Sequence, residues 1–245
     1  MSARSKLEFG VTSDGRPVRS LTTAVLLQLR SEILSCRLKP GEKLLIAGLA
    51  KRLGVSLSAI REALSRLAAE GLVRAEDQRG FSVSPVSIED LRDITRTRVD
   101  LEGMALRRAI ALGDARWEES VRAAHEQLAA TPLPPRGEPG LQFERWRTLH
   151  QRFHLALVSA CGSEWLLRFR RILFEQSERY RFLAYSVRPR DIPDEHRTIM
   201  QATLDRDVEA AVKALGDHLT LTADIIVDAI GSQSLASGTN TTPGE

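Results

Sequence analysis

Residues 46–73, IAGLAKRLGVSLSAIREALSRLAAEGLV, decide the fold of this chain. Leu49, Leu53, Ile60, Leu64 and Leu67 recur at helical spacing, and the period breaks at Gly54-Val55-Ser56, where glycine supplies the left-handed backbone a tight turn needs. Two short amphipathic helices joined this way predict a helix-turn-helix. Ser56 and Ser58 stand where a hydroxyl can cap the second helix, and Glu62 lies near the positive end of its dipole. The outer face of that helix carries Ser56, Ser58, Arg61 and Ser65, short polar groups and one long donor suited to a major groove. Periodicity alone does not make a DNA reader, because many proteins join amphipathic helices through a glycine turn. The flanks narrow the choice. Arg74 to Gly80 is polar and hairpin-like, and Phe81 to Val86 alternates like a half-buried strand, which together predict a β-wing. Upstream, residues 21–38 form an amphipathic helix closed by Lys39-Pro40-Gly41.

The run RLKPGEKLLIAGLAKRLGVSLSAIREALSRLAAEGLV, followed by RGFSVSP, resembles the N-terminal DNA-binding domain of the GntR family of bacterial transcriptional regulators over roughly residues 20–86. The resemblance implies that Ser56, Ser58 and Arg61 face operator DNA, that Arg66 lies near the phosphates, and that Arg79 and Gly80 form the wing tip. One departure stands out. Where the family commonly has an arginine followed by Thr/Ser-Pro, this chain has Leu57-Ser58-Ala59, so the operator of relatives does not carry over.

With 245 residues, 42% of them hydrophobic and 27% charged, the chain is long enough for two cores and is not of disordered composition. Its net charge of +3 hides an asymmetry: residues 1–87 hold 14 Lys and Arg against 8 Asp and Glu, the remainder 21 against 24, giving +6 and −3. The N-terminal part is the one that attracts phosphates. Cys36 and Cys161 show no metal or disulfide spacing and are expected as buried, reduced thiols. No leader and no apolar run of about 18 residues is present, so a cytoplasmic protein without a membrane span is expected.

Along the chain, residues 1–19 are expected as a mobile arm, 20–86 as the winged helix-turn-helix, 87–231 as a helical effector-binding and dimerisation domain, and 232–245 as a frayed tail. The helical part divides into 87–112, 114–130, 141–161, 163–185, 193–206 and 207–230, with a four-proline loop at 131–140. The expected fold is therefore mainly α: an N-terminal winged helix-turn-helix followed by an all-α antiparallel six-helix bundle.

Bundles build ligand and metal sites from inward side chains on facing helices. His150 and His154 are four apart, one turn from each other on one helical face; His196 and His218 belong to two later helices. Singly, such histidines are usually packing residues. Jointly they offer three or four nitrogens to a Zn²⁺- or Ni²⁺-type ion. Arg98 and Glu102, and Arg179 with Tyr180, are candidate contacts for a small carboxylate, although an RxxxE pair is common on helix surfaces.

The stretches HQRFHLALVSACGSEWL and EHRTIMQATLDRDVEAAVKALGDHL resemble the FadR-type effector-binding C-terminal domain over roughly residues 89–228. The resemblance implies a metal held at His150, His154, His196 and His218, with a departure at His150, where relatives carry a carboxylate or its amide. More narrowly, ALRRAIALGDARWE and ACGSEWLLRFRRILFEQSERYR resemble CsiR-type repressors of glutarate and 4-aminobutyrate catabolism, which makes glutarate the first effector to try. The leading expectation is a homodimeric repressor that reads a near-palindromic operator in double-stranded DNA and is released by a small carboxylate. The alternatives are a metal-dependent enzyme, or a metal-stabilised bundle, fused to a DNA-binding domain. An enzyme is not expected, because the chain carries no HExxH motif, nucleophile elbow, P-loop or dinucleotide-binding loop.

Overall fold

The structure, a computed structural model, describes residues 21–76, 79–133, 141–183 and 191–237. The expected arm therefore lies outside the described residues. The chain divides after Ser87 into two compact units.

The first unit contains α1 (Leu21–Leu34), β1 (Lys43–Leu44), α2 (Ile46–Leu53), α3 (Leu57–Ala69), β2 (Val73–Glu76) and β3 (Gly80–Val83). Helix α1 stops four residues before the expected end. Cys36 adopts a left-handed backbone (φ 49°) with its N–H on the Ile33 carbonyl at 3.1 Å, which breaks the i to i−4 ladder. Cys36 is accordingly only partly buried and sits in a turn, a correction to its expected helical burial, whereas Cys161 is fully buried. Gly54 (φ 68°) closes α2, and the Ser56 hydroxyl caps α3 by accepting the Ala59 N–H at 3.2 Å.

Leu29, Ile33, Ile60, Leu64, Leu67 and Leu72 are all at most 1% exposed and form the core, each contributing about 2 kcal/mol on burial. Glu32 accepts both guanidinium arms of Arg52 at 2.8 and 2.6 Å, tying α1 to α2. The strands form an antiparallel sheet in the order β1-β3-β2. Strand β1 has two residues, too few to show an alternating pattern in the sequence. Strand β3 ends at Val83, ahead of Pro85, which has no N–H for a ladder.

The second unit contains α4 (Ile88–Leu112), α5 (Ala115–Ala129), α6 (Leu141–Val158), α7 (Glu164–Leu183), α8 (Ile192–Leu204) and α9 (Val208–Ser237). These are the six helices expected among the described residues. Helix α6 ends before residue 161, where the Cys161 N–H turns onto the Val158 carbonyl at 3.0 Å and Gly162 adopts φ 66°. Helix α9 runs on through residues expected as a tail, because no proline or glycine interrupts it between Gly231 and Gly238.

Gly103 lets α4 approach α9 closely: a Cβ there would meet Val212 at 3.2 Å. Trp117 donates its indole N–H to the Ala156 carbonyl at 2.9 Å, joining α5 to α6. Among the described residues, no helix is long and apolar enough to cross a membrane.

Candidate functional site

On α3 the buried Ile60, Ala63, Leu64 and Leu67 alternate with the exposed Ser58, Arg61, Ser65 and Arg66, so one face packs while the other is available to a groove. Ser56 is also exposed, at the cap, with its hydroxyl 3.0 Å from that of Ser58. Arg79 and Gly80 lie exposed at the start of β3. Leu57 is 54% exposed at the first position of α3, where an apolar side chain can meet a thymine methyl. Sequence reasoning noted Leu57 only as a departure.

In the second unit the histidines converge. His150 and His154 come from α6, His196 from α8 and His218 from α9; each is at most 3% exposed. They offer one ligand atom each within 4.8 Å of one another, and the Nε2 atoms of His150 and His154 are 3.1 Å apart. Bonds of about 2.1 Å to a tetrahedral ion place nitrogens roughly 3.4 Å apart, so small side-chain adjustments suffice. Burial above all, then the Arg181 charge, pushes the His150 pKa well down; burial and the neighbouring His218 do the same to His154. Neutral imidazoles are what a metal requires.

Glu195 holds His218 Nδ1 at 2.9 Å, an outer carboxylate that orients the ring and turns Nε2 toward the centre. His154 Nδ1 is buried without a hydrogen-bond partner among the described residues. The donor set fits a divalent ion of intermediate softness.

Arg98 and Glu102 are buried rather than a surface pair. Arg98 donates to Glu102 at 2.8 Å and to the Ser177 hydroxyl at 2.8 Å, and Arg170 Nε donates to the other Glu102 oxygen at 3.2 Å. Burial alone would raise the Glu102 pKa, but Arg170 and Arg98 outweigh it and hold the carboxyl below its usual range. Phe174 lies under both guanidinium groups, at 5.2 and 5.1 Å, and its centroid is 6.3 Å from that of His150, linking this trio to the histidine centre.

Arg179 and Tyr180 are also buried but turn elsewhere, Arg179 to Gln176 at 3.0 Å and Tyr180 to Asp90 at 2.5 Å. Sequence reasoning missed Arg170, Ser177 and Arg181, the last of which reaches His150 Nε2 at 3.3 Å. The available signal was spacing: Arg170, Phe174, Ser177 and Arg181 follow one another along a single face of α7.

A winged helix-turn-helix followed by a helical unit with a buried histidine centre is the architecture of a regulator with a sensory domain. The family model described as bacterial regulatory proteins, gntR family, matches residues 21–83, and that of the FCD domain matches residues 93–221. The chain belongs to the GntR family, in its FCD-bearing branch.

It is 40% identical to the uncharacterized HTH-type transcriptional regulator BphR of Paraburkholderia xenovorans (strain LB400), over 85% of this chain and 86% of that protein. It is 36% identical to the HTH-type transcriptional repressor GlaR of Escherichia coli (strain K12), over 82% of this chain and 94% of that protein. The fold is shared with the solved structure of E. coli McbR/YncC, at a TM-score of 0.70 and 23% identity over 86% of this chain and 99% of that one. The chain is thus a transcriptional regulator of the helix-turn-helix type and not an enzyme.

Proposed function

We propose that the chain is a cytoplasmic, homodimeric repressor whose winged units read the half-sites of a near-palindromic operator and which a small carboxylate releases from DNA. Ser56, Ser58, Arg61, Arg66, Arg79 and Gly80 meet the DNA, with Arg61 as the long base-reading donor. Two-fold symmetry is supported by the small number of base pairs that one recognition helix covers. The histidine centre holds Zn²⁺ or Ni²⁺, which when bound supplies a Lewis-acidic position for an anionic oxygen.

The observation that carries the effector reading is Arg170: its Nη2 is buried without a hydrogen-bond partner among the described residues. Two guanidinium charges there share the one Glu102 carboxylate, so an incoming carboxylate gains a charged donor rather than displacing one. Arg98 and Glu102 complete the buried wall around it, whereas Arg179 and Tyr180 turn to Gln176 and Asp90 and take no part in this reading. The likeness to CsiR-type repressors makes glutarate the first acid to test.

The effector must bind the DNA-incompetent arrangement more tightly, or it shifts nothing. A mobility-shift titration on the DNA upstream of the protein's own gene, at fixed salt, is expected to show specific binding that glutarate or a related dicarboxylate releases. Absence of specific binding in every condition would sink the reading. Elemental analysis after dialysis against Zn²⁺ and Ni²⁺ is expected to find about one ion per chain; none retained removes the metal from it.

A further inference from the structure

Between α5, α6 and α8 lies a cleft of about 190 Å³. The buried His196 lines its inner side, and the partly exposed His125 lies toward its mouth. Leu128, Trp146, Ile192 and Pro193 form apolar walls, and Trp146 also stacks on His150, with centroids 4.7 Å apart and an 18° interplanar angle. Among the described residues, no Asp, Glu, Lys or Arg lines the cleft. The Thr131 hydroxyl on its rim is committed to the Gln127 carbonyl at 2.9 Å.

His125 makes no side-chain hydrogen bond among the described residues; its ring meets only the edge of Phe153, at 5.6 Å. Burial lowers the His125 pKa, so near neutral pH the ring presents one N–H donor and one acceptor.

These features select a ligand. A carboxylate entering here sheds its hydration with no cation among the described lining side chains to replace it. An apolar cavity of about 150 Å³ accommodates benzene, so the cleft holds a single ring with room for one small substituent. We infer that this cleft is a binding site for a small, uncharged, phenol-type aromatic, its ring against Trp146 and the apolar walls and its hydroxyl hydrogen-bonded to His125. The site is separate in chemistry from the carboxylate site beside Arg170 and does not depend on that reading. Its occupant touches His196 and the Trp146 ring stacked on His150, so aromatic and metal affinities are coupled, and reciprocally.

The test uses the full chain loaded with Zn²⁺ and titrated with phenol, toluene and benzoate, followed by calorimetry and tryptophan fluorescence. Phenol is expected to bind roughly threefold to tenfold more tightly than toluene, the worth of one hydrogen bond, and benzoate most weakly. His125→Phe keeps the shape and removes the donor: phenol should fall to the toluene level while toluene affinity and Zn²⁺ content stay unchanged. Ala129→Trp, at an exposed position lining the cleft, should exclude both.

Equal affinity for phenol and toluene, preference for benzoate, undiminished binding to Ala129→Trp, or no binding of any probe each overturns the inference. A mobility shift on the same preparation keeps this outcome distinct from a failure to bind DNA.

Discussion

The two units solve the problem of an interior in opposite ways. The DNA-binding unit is dry: its core is aliphatic, mostly leucine with isoleucine, valine and alanine, and Glu32 is its one buried charged side chain among the described residues, matched by Arg52 at the rim. The helical unit buries Arg98, Glu102, Arg170, Glu175, Glu178, Arg179 and four histidines. Apolar burial is favourable wherever it occurs, but a buried ion pair recovers little more than its own desolvation cost. Stability alone therefore explains the first interior and not the second. The charged groups and imidazoles kept out of water in the second are the ones that the proposed metal and effector would engage.

The sharpest break of this contrast is Glu102→Ala. It leaves two guanidinium groups buried without their shared carboxylate, and a loss of about 3–5 kcal/mol is expected, read as a lower thermal midpoint of the helical unit. A loss no larger than that of Arg96→Ala, whose pair with Asp93 is exposed, would make the buried trio energetically idle.

A second test exploits protons. Because the folded-state pKa values of His150 and His154 are depressed, folding favours their neutral forms. Above the unfolded value of about 6.5 both states are neutral and nothing is gained or lost; as pH falls below it, the unfolded chain binds protons first. Metal-free protein should thus lose about 1 kcal/mol per pH unit for each histidine between roughly pH 6.5 and the folded-state values. Thermal melts after chelation, at pH 7.5 and 5.5, check this, and a flat profile contradicts it. The dry unit contains no histidine and should show no such slope.

The smallest effect belongs to that dry unit. Ser56→Ala removes the cap of α3 and should cost about 1 kcal/mol, visible as faster amide exchange in the first turn of α3. Metal content should be unaltered; a parallel loss of metal would mean that the units are not energetically separate.

Much of this molecule was legible in one dimension. The leucine period, Gly54 and the Ser56 cap determine the helix-turn-helix because each acts within a few residues. The i, i+4 spacing of His150 and His154 likewise fixes a shared helical face before any tertiary contact forms. What remained hidden depends on residues far apart in the chain. No local rule says that Arg98 meets Ser177 and that Arg170 meets Glu102, that Trp146 stacks on His150, or that His125 and His196 line one cleft.

The sequence by itself thus determined the helices and the wing, the exposed polar face of α3 and the histidines worth counting, because periodicity and capping are short-range. Only the tertiary structure decided that Arg98 and Glu102 are interior, that Arg170 shares their carboxylate, and that four imidazoles from three helices form one centre, because burial and charge compensation depend on which helices pack together.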